Sequence, residues 1–207
     1  MTFPEFLRRS DISSIEAARK LLGSVLIREF NDGTCAKVRI VETEAYDQDD
    51  PASHTFHGKS QRNWAMFEAG GIAYIYFTYG MHYCVNIVCG REGYGSGVLV
   101  RAAEPIEGEE YIAQRRSKAR GVNMTNGPAK LTKALEIDKS LYAHDLSTSP
   151  LRLVEGGLHD DEFVLETPRI GISKAVEDKR RFVIAHEKTR ALNPYVSEQR
   201  FTRTFLV

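Results

Sequence analysis

Short alternations of apolar and polar residues divide this chain into brief strands and briefer helices, and the densest pattern lies between Ile72 and Cys89. There, IAYIYFTYGMHYCVNIVC sets two β-branched and aromatic runs on either side of one breaker, Gly80, which predicts a β-hairpin. A period of two puts Tyr74 and Tyr76 on one face of the first arm, and Tyr79 beside the glycine at the tip. A large ring at a hairpin tip cannot reach its own core. It either awaits a partner or packs under a neighbouring loop.

Ahead of IEAARKLL, Ser13 and Glu16 have capping-box spacing, and Gly23 stands where a helix-ending glycine belongs, so a helix is expected over about 14–22. SVLIREF then turns through Asn31-Asp32-Gly33 into TCAKVRIVETEAY, a second hairpin. If the period of two holds, Val38, Ile40, Glu42, Glu44 and Tyr46 share a face that begins apolar and ends in two carboxylates and a phenol. A sheet face that turns polar at its end commonly forms the rim of a site. Residues 47–63 form a polar loop carrying His54 and His57, and RNWAMFEAGG reads as a short helix stopped by Gly70 and Gly71. GVLVRAAEP is expected as a strand ending near Arg101, closed by Pro105. EGEEYIAQRRSKA is a helix with acids first and bases last, as the macrodipole prefers. After the loop GVNMTNGP, AKLTKALEI reads as a helix, and LRLVEGG, FVLET, RIGIS and RRFVIAH as short strands of the later sheet. The tail NPYVSEQRFTRTFLV has little periodicity. Without repeats, linkers or low-complexity segments, the chain is expected to be one α+β domain over residues 1–207. Its sheet would be curved, mostly antiparallel and barrel-like, with flanking helices and a protruding hairpin.

Composition narrows this little. The 207 residues are 42% hydrophobic and 27% charged, enough for a sizeable core, and no apolar run is long enough to suggest a membrane span. The opening stretch MTFPEFLRRSDISS lacks the apolar segment and cleavage site of a secretory signal. Cys35, Cys84 and Cys89, odd in number and without Cys-x-x-Cys spacing, are expected as free thiols in a reducing compartment. A net charge of zero advertises no polyanion, but the charges are uneven. Glu42, Glu44, Asp47, Asp49 and Asp50 fall together without a base, and Arg115, Arg116, Lys118, Arg120, Lys130 and Lys133 without an acid. The basic run is either a solvated helix face or a one-sided surface for a polyanion; charge alone leaves both open.

Candidate chemistry rests on a few groups. Glu44 at a strand end suits a general base, or is a plain surface carboxylate. His54 and His57 lack a third ligand at metal spacing, so no metal site is expected, and either ring could wall a pocket. Tyr46, Tyr74, Tyr76, Tyr79, His82 and Tyr83 form an aromatic core or a stacking platform. Stacking is worth about 1–3 kcal/mol per base. Three rings would therefore offset the few kcal/mol needed to flip one nucleotide. Gly127-Pro128-Ala129-Lys130 opens a helix, which suits a phosphate or is mere punctuation. A sheet-based single-stranded RNA binder and a hydrolase of free nucleosides fit parts of this pattern, though the latter needs neither Tyr79 nor the basic run.

Taken together these segments resemble the alkyladenine (3-methyladenine) DNA glycosylase family. The match comprises RIVETEAY at 39–46, the histidine of ASHT at 52–55, RNWAMF at 62–67 and YIYFTYGMHYCVNI at 74–87. It continues in VLVRAAEPIEG at 98–108, GPAKLTKALEIDKS at 127–140 and RIGI at 169–172, collinear over most of the chain. The resemblance implies a monofunctional enzyme that flips a damaged purine (3-methyladenine, 7-methylguanine, hypoxanthine or ethenoadenine) from double-stranded DNA. Hydrolysis of its glycosidic bond would leave an abasic site and start base excision repair. It implies Glu44 as the base that activates water, and Tyr46, His54 and Tyr76 as walls around the flipped base. It further implies Asn86 as the residue excluding guanine, Ile170 and Gly171 as the pocket floor, and Tyr79 as the wedge entering the duplex. Arg101 would lie near the site and the DNA backbone, and Lys130 on a phosphate. It implies no cofactor, no metal and no membrane, a monomer, and action at the bacterial nucleoid in the cytoplasm, or in the nucleus of a eukaryote. Two departures stand out: the loop from Tyr46 to His54 is one residue shorter than in vertebrate relatives, and Ala129 replaces their serine.

Overall fold

A computed structural model describes residues 2–117, 119–187 and 191–197; Lys118 of the basic run and the end of the tail lie outside them. Ser13 caps helix α1 (Ser14–Lys20) by accepting from the Glu16 amide at 3.1 Å. Gly23 follows at φ 84°, where an added Cβ would lie 2.1 Å from the Gly157 carbonyl oxygen, so the close approach of the two chains requires glycine. The hairpin that comes next joins strand β1 (Val25–Glu29) to strand β2 (Cys35–Asp47), its turn tied by Asp32, which accepts from the Thr34 amide and hydroxyl.

β2 organises the sheet. One edge pairs along its length with the antiparallel β5 (Ser96–Glu107). The other edge is shared: β1 takes residues 35–39, and β8 (Arg181–His186) takes 42–44. With β3 (Ala73–Thr78), β4 (His82–Val88), β6 (Leu151–Val154) and β7 (Glu162–Thr167), the order is β3-β4-β5-β2-β1-β6, with β7 joined through β8. Every pairing between these strands is antiparallel, and the sheet curls into a half-barrel, as the α+β reading expects. Helix α2 (Glu109–Arg115) and helix α3 (Pro128–Ala134) complete the set. Ala17, Ala18 and Leu21 of the α1 segment and Leu131 and Ala134 of α3 enter one fully buried cluster with Val38, Ile40, Val100 and Phe182. Thr43 faces α1, its hydroxyl donating to the Ala18 carbonyl at 2.9 Å, while its neighbours Glu42 and Glu44 face away. No described helix is long and apolar enough to cross a membrane. Cys84 and Cys89 are buried free thiols and Cys35 a half-buried one.

Several elements differ from expectation. β5 runs through Pro105 to Glu107, because β4 covers only Gly97–Leu99 and leaves the outer edge of β5 unpaired where the proline lies. RNWAMFEAGG yields one 3-10 turn, Trp64–Phe67. RIGIS is not a strand: Gly171 stands at φ 75° and Arg169 is drawn into an ion pair with the loop after β2. The alternation along β2 also carries a defect. Its pairing with β5 slips on either side of Glu42, leaving Val41 and Arg101 without a direct partner.

Candidate active site

Glu44 borders a cavity of about 870 Å³ yet is itself 0% exposed. Its Oε2 accepts from the Tyr46 hydroxyl at 2.7 Å and from Arg101 Nη1 at 3.2 Å, and its Oε1 from the Ile170 amide at 2.8 Å. Two of these donors come from the same sheet, one from the segment after β7. Oε1, with one donor, keeps a lone pair for a further partner. Burial, then the neighbouring Glu44 charge, pushes the Tyr46 hydroxyl far above its ordinary value, so it remains a neutral donor.

Behind Glu44 lies a second carboxylate, Glu42, also 0% exposed. It accepts from Arg101 Nε at 3.1 Å, Arg181 Nε at 2.5 Å, and the amide and hydroxyl of Ser197 at 2.6 and 2.7 Å. Two buried carboxylates thus meet two guanidiniums, and the local charge sums to zero. Burial opposes the charge on Arg101, but Glu44 and Glu42 outweigh it and raise its pKa further. Arg101, expected near the site and the DNA backbone, lines the cavity. Its guanidinium is 8% exposed and engaged by two carboxylates.

Aromatic walls rise above this carboxylate. Tyr74 and Tyr76 stack with centroids 5.8 Å apart and planes 28° apart, as alternate residues of β3 must. His54 sets its edge to Tyr76 at 4.6 Å, and its Nδ1 lies 3.0 Å from the Tyr74 hydroxyl. Asn86 stands opposite Tyr74 on β4, 4% exposed, with Nδ2 donating to the Tyr74 carbonyl at 3.4 Å. Tyr46, His54, Tyr76, Asn86, Ile170 and Gly171 all line the cavity, as do Tyr79 and Lys130 at its mouth. Tyr79 is 83% exposed and, at φ 51°, holds a left-handed conformation that a bulky side chain rarely adopts. Phe77 and Met81 are exposed beside it. Lys130 Nζ donates to Asn126 Oδ1 at 2.6 Å and Asn123 Oδ1 at 3.4 Å. The basic run is otherwise partly occupied: Arg115 pairs with Asp32 and Glu136, and Arg116 donates to the Met124 and Asn123 carbonyls.

Sequence reasoning missed Arg169 and Asp50. Their buried pair joins the loop of His54 to the segment of Ile170, and the Arg169 guanidinium lies 4.6 Å from the centroid of the Tyr46 ring. An arginine next to RIGI's predicted floor was the only signal. Among the described residues there is no group of three or more His, Cys, Asp and Glu side chains able to hold a metal.

Burial, then Arg62, lowers the His54 pKa from its ordinary 6.5, so the imidazole is neutral at pH 7. The unfolded chain therefore takes up a proton first as pH falls through 6.5, and the folded state loses stability until its own, lower pKa is reached. Thermal unfolding of a His54→Gln variant is expected to lose part of the wild-type decline between pH 7 and 5; an unchanged slope would assign that decline to other groups.

A buried carboxylate held by a phenol, a guanidinium and an amide thus lies beneath stacked aromatics. The sequence model of the methylpurine-DNA glycosylase family matches residues 7–188, and the chain is a member of that family, whose enzymes hydrolyse N-glycosyl bonds in DNA. A relative named "Putative 3-methyladenine DNA glycosylase" from Francisella tularensis subsp. tularensis is 42% identical, covering 84% of this chain and 91% of its own. Proteins of the same name from Carboxydothermus hydrogenoformans and Salinibacter ruber are 44% and 42% identical, each over 83% of this chain and 90% and 88% of their own.

Proposed function

We propose that this glycosylase flips a damaged purine out of duplex DNA into the cavity and releases it by a hydrolysis in which Glu44 is the base. The carrying observation is that Glu44, fully buried and held by three donors, faces the one side of a cavity walled by Tyr46, His54 and Tyr76. Water on the spare lone pair of Oε1 attacks C1′ of the flipped nucleotide as the C1′–N9 bond breaks, the bonding pair leaving with the purine and the water's proton passing to the carboxylate. The sugar becomes oxocarbenium-like, and the adjacent negative charge stabilises it. Purines alkylated at N3 or N7 are cationic, and the faces of Tyr46 and Tyr76 favour them by cation–π attraction. Hypoxanthine and ethenoadenine are neutral, and their departure needs hydrogen bonding to, or protonation of, the leaving base in addition. Asn86, buried deep against β3, disfavours undamaged guanine by clash with its exocyclic amine, a cost that the cationic ring of 7-methylguanine offsets. Lys130 meets a phosphate at the mouth, and the protein acts as a monomer.

The groups bonded to Glu44 are a phenol, a guanidinium and a backbone amide, so no Schiff base is needed. Duplexes each carrying one of the four lesions are expected to give alkali-labile sites, with the strand intact before alkali and no adduct trapped by borohydride. A trapped adduct would move the chemistry to Lys130 or Lys174, which line the same cavity. Release from free nucleosides alone, or RNA binding without release, would overturn the reading.

Tyr79 acts as the wedge that fills the hole left by the flipped base. Its left-handed backbone strain and high exposure are costs that a DNA partner would offset. Tyr79→Ser is expected to weaken lesion-duplex binding by roughly 10–100-fold, in keeping with about 1–3 kcal/mol per stacked ring. Fluorescence anisotropy with a duplex holding a non-cleavable abasic analogue measures this; an unchanged affinity ends the wedge assignment.

A further inference from the structure

We infer that the buried Asp50–Arg169 pair is a positioning device for the catalytic carboxylate. It rests on the assignment of Glu44 as the base. Both side chains are 0% exposed. Arg169 makes a two-pronged contact with Asp50, Nη2 to Oδ1 at 3.0 Å and Nη1 to Oδ2, while Nη1 also donates to the Ala45 carbonyl at 3.0 Å. Asp50 in turn accepts from the Ala52 amide at 2.9 Å, fixing the start of the loop that carries His54. Arg180 lies 3.9 Å away on the same carboxylate.

This arrangement has three consequences at one site. The residue after Arg169 is Ile170, whose amide is the sole described donor to Glu44 Oε1. The Ala45 carbonyl that Arg169 grips belongs to the residue between Glu44 and Tyr46. The guanidinium also backs the Tyr46 ring, whose hydroxyl donates to Glu44 Oε2. One ion pair therefore fixes a donor on each oxygen of the base. The segment that delivers Ile170 is irregular, with Gly171 at φ 75° and no strand partner, so no sheet ladder supplies this order. Burying two charges costs desolvation energy, and an apolar pair would often fold as well. Geometry, not stability, is the reason this pair gives to exist: only a planar fork reaches a carboxylate and a carbonyl while lying flat on a ring.

The test uses the full-length enzyme in single-turnover excision of hypoxanthine, with lesion-duplex affinity measured separately. Asp50→Asn is expected to lower the excision rate about 10–100-fold and to change affinity less than about 3-fold. In a Glu44→Gln background the same substitution should lower residual release no further, because its effect passes through Glu44. Arg169→Lys keeps the charge but loses the fork; it is expected to fold, and to show the same split of rate from affinity. Equal losses of rate and affinity in folded Arg169→Lys, or an additive loss on top of Glu44→Gln, would make the pair structural only and overturn the inference. If Glu44→Gln itself excises at the wild-type rate, the base assignment fails instead, and the two failures are told apart.

Discussion

Glu44→Gln is expected to keep lesion-duplex affinity within a few-fold of wild type while slowing base release by roughly 10²–10⁴-fold, the usual worth of a general base. The amide is nearly isosteric, and its carbonyl can still accept from Tyr46 and Arg101 at the Oε2 position. Its NH₂ group then meets the Ile170 amide, donor against donor, where Oε1 now accepts at 2.8 Å. That conflict leaves a buried donor unmet, which costs about 1–3 kcal/mol. Release and stability should therefore fall together, while the stacked walls and the wedge stay in place. Single-turnover rates on a hypoxanthine duplex, alongside a binding isotherm, separate the two. A variant that excises as fast as wild type would remove Glu44 from the chemistry.

Arg101→Met carries the second large effect. Without this guanidinium, Glu42 keeps Arg181 and Ser197, but Glu44 keeps only neutral donors. Removing one partner of a buried pair costs about 3–5 kcal/mol because the other charge is left uncompensated. For a domain of this size that is a fall in Tm of roughly 6–20 °C. Adding Glu44→Gln removes that uncompensated charge, while Glu42 keeps Arg181, and is expected to recover part of the loss. Thermal unfolding of the two variants decides it; a Tm equal to wild type would mean that the carboxylates are compensated without Arg101.

Much of this site could be read from periodicity. That Glu44 and Tyr46 share a face follows from a period of two, as does the stacking of Tyr74 on Tyr76, whereas the register slip at Glu42 interrupts the alternation expected to run on from Val38 and Ile40. The Ser13 cap and the Tyr79 tip were equally plain, since each depends on a few neighbouring residues. What periodicity could not show depends on contacts distant in the chain. That Arg101 is held by both Glu42 and Glu44 is settled between β2 and β5 rather than within either. RIGIS alternates like a strand, but its arginine finds Asp50, 119 residues away, and the segment leaves the sheet. Burial of Glu42 depends likewise on Arg181 and Ser197, from β8 and the segment beyond it.

The shared edge of β2 has a consequence for which parts of the molecule come apart first. At Glu42 and Glu44 this strand is laddered on both sides, to β5 and to β8, so its amides open only when the sheet itself does. The hairpin tip has neither a second neighbour nor a buried side chain to hold it. Breathing of the fold would thus reach Tyr79 constantly and Glu44 almost never. The surface proposed to meet DNA sits at the soft end of the protein's range of local stabilities, and the carboxylate proposed as the base sits at the hard end.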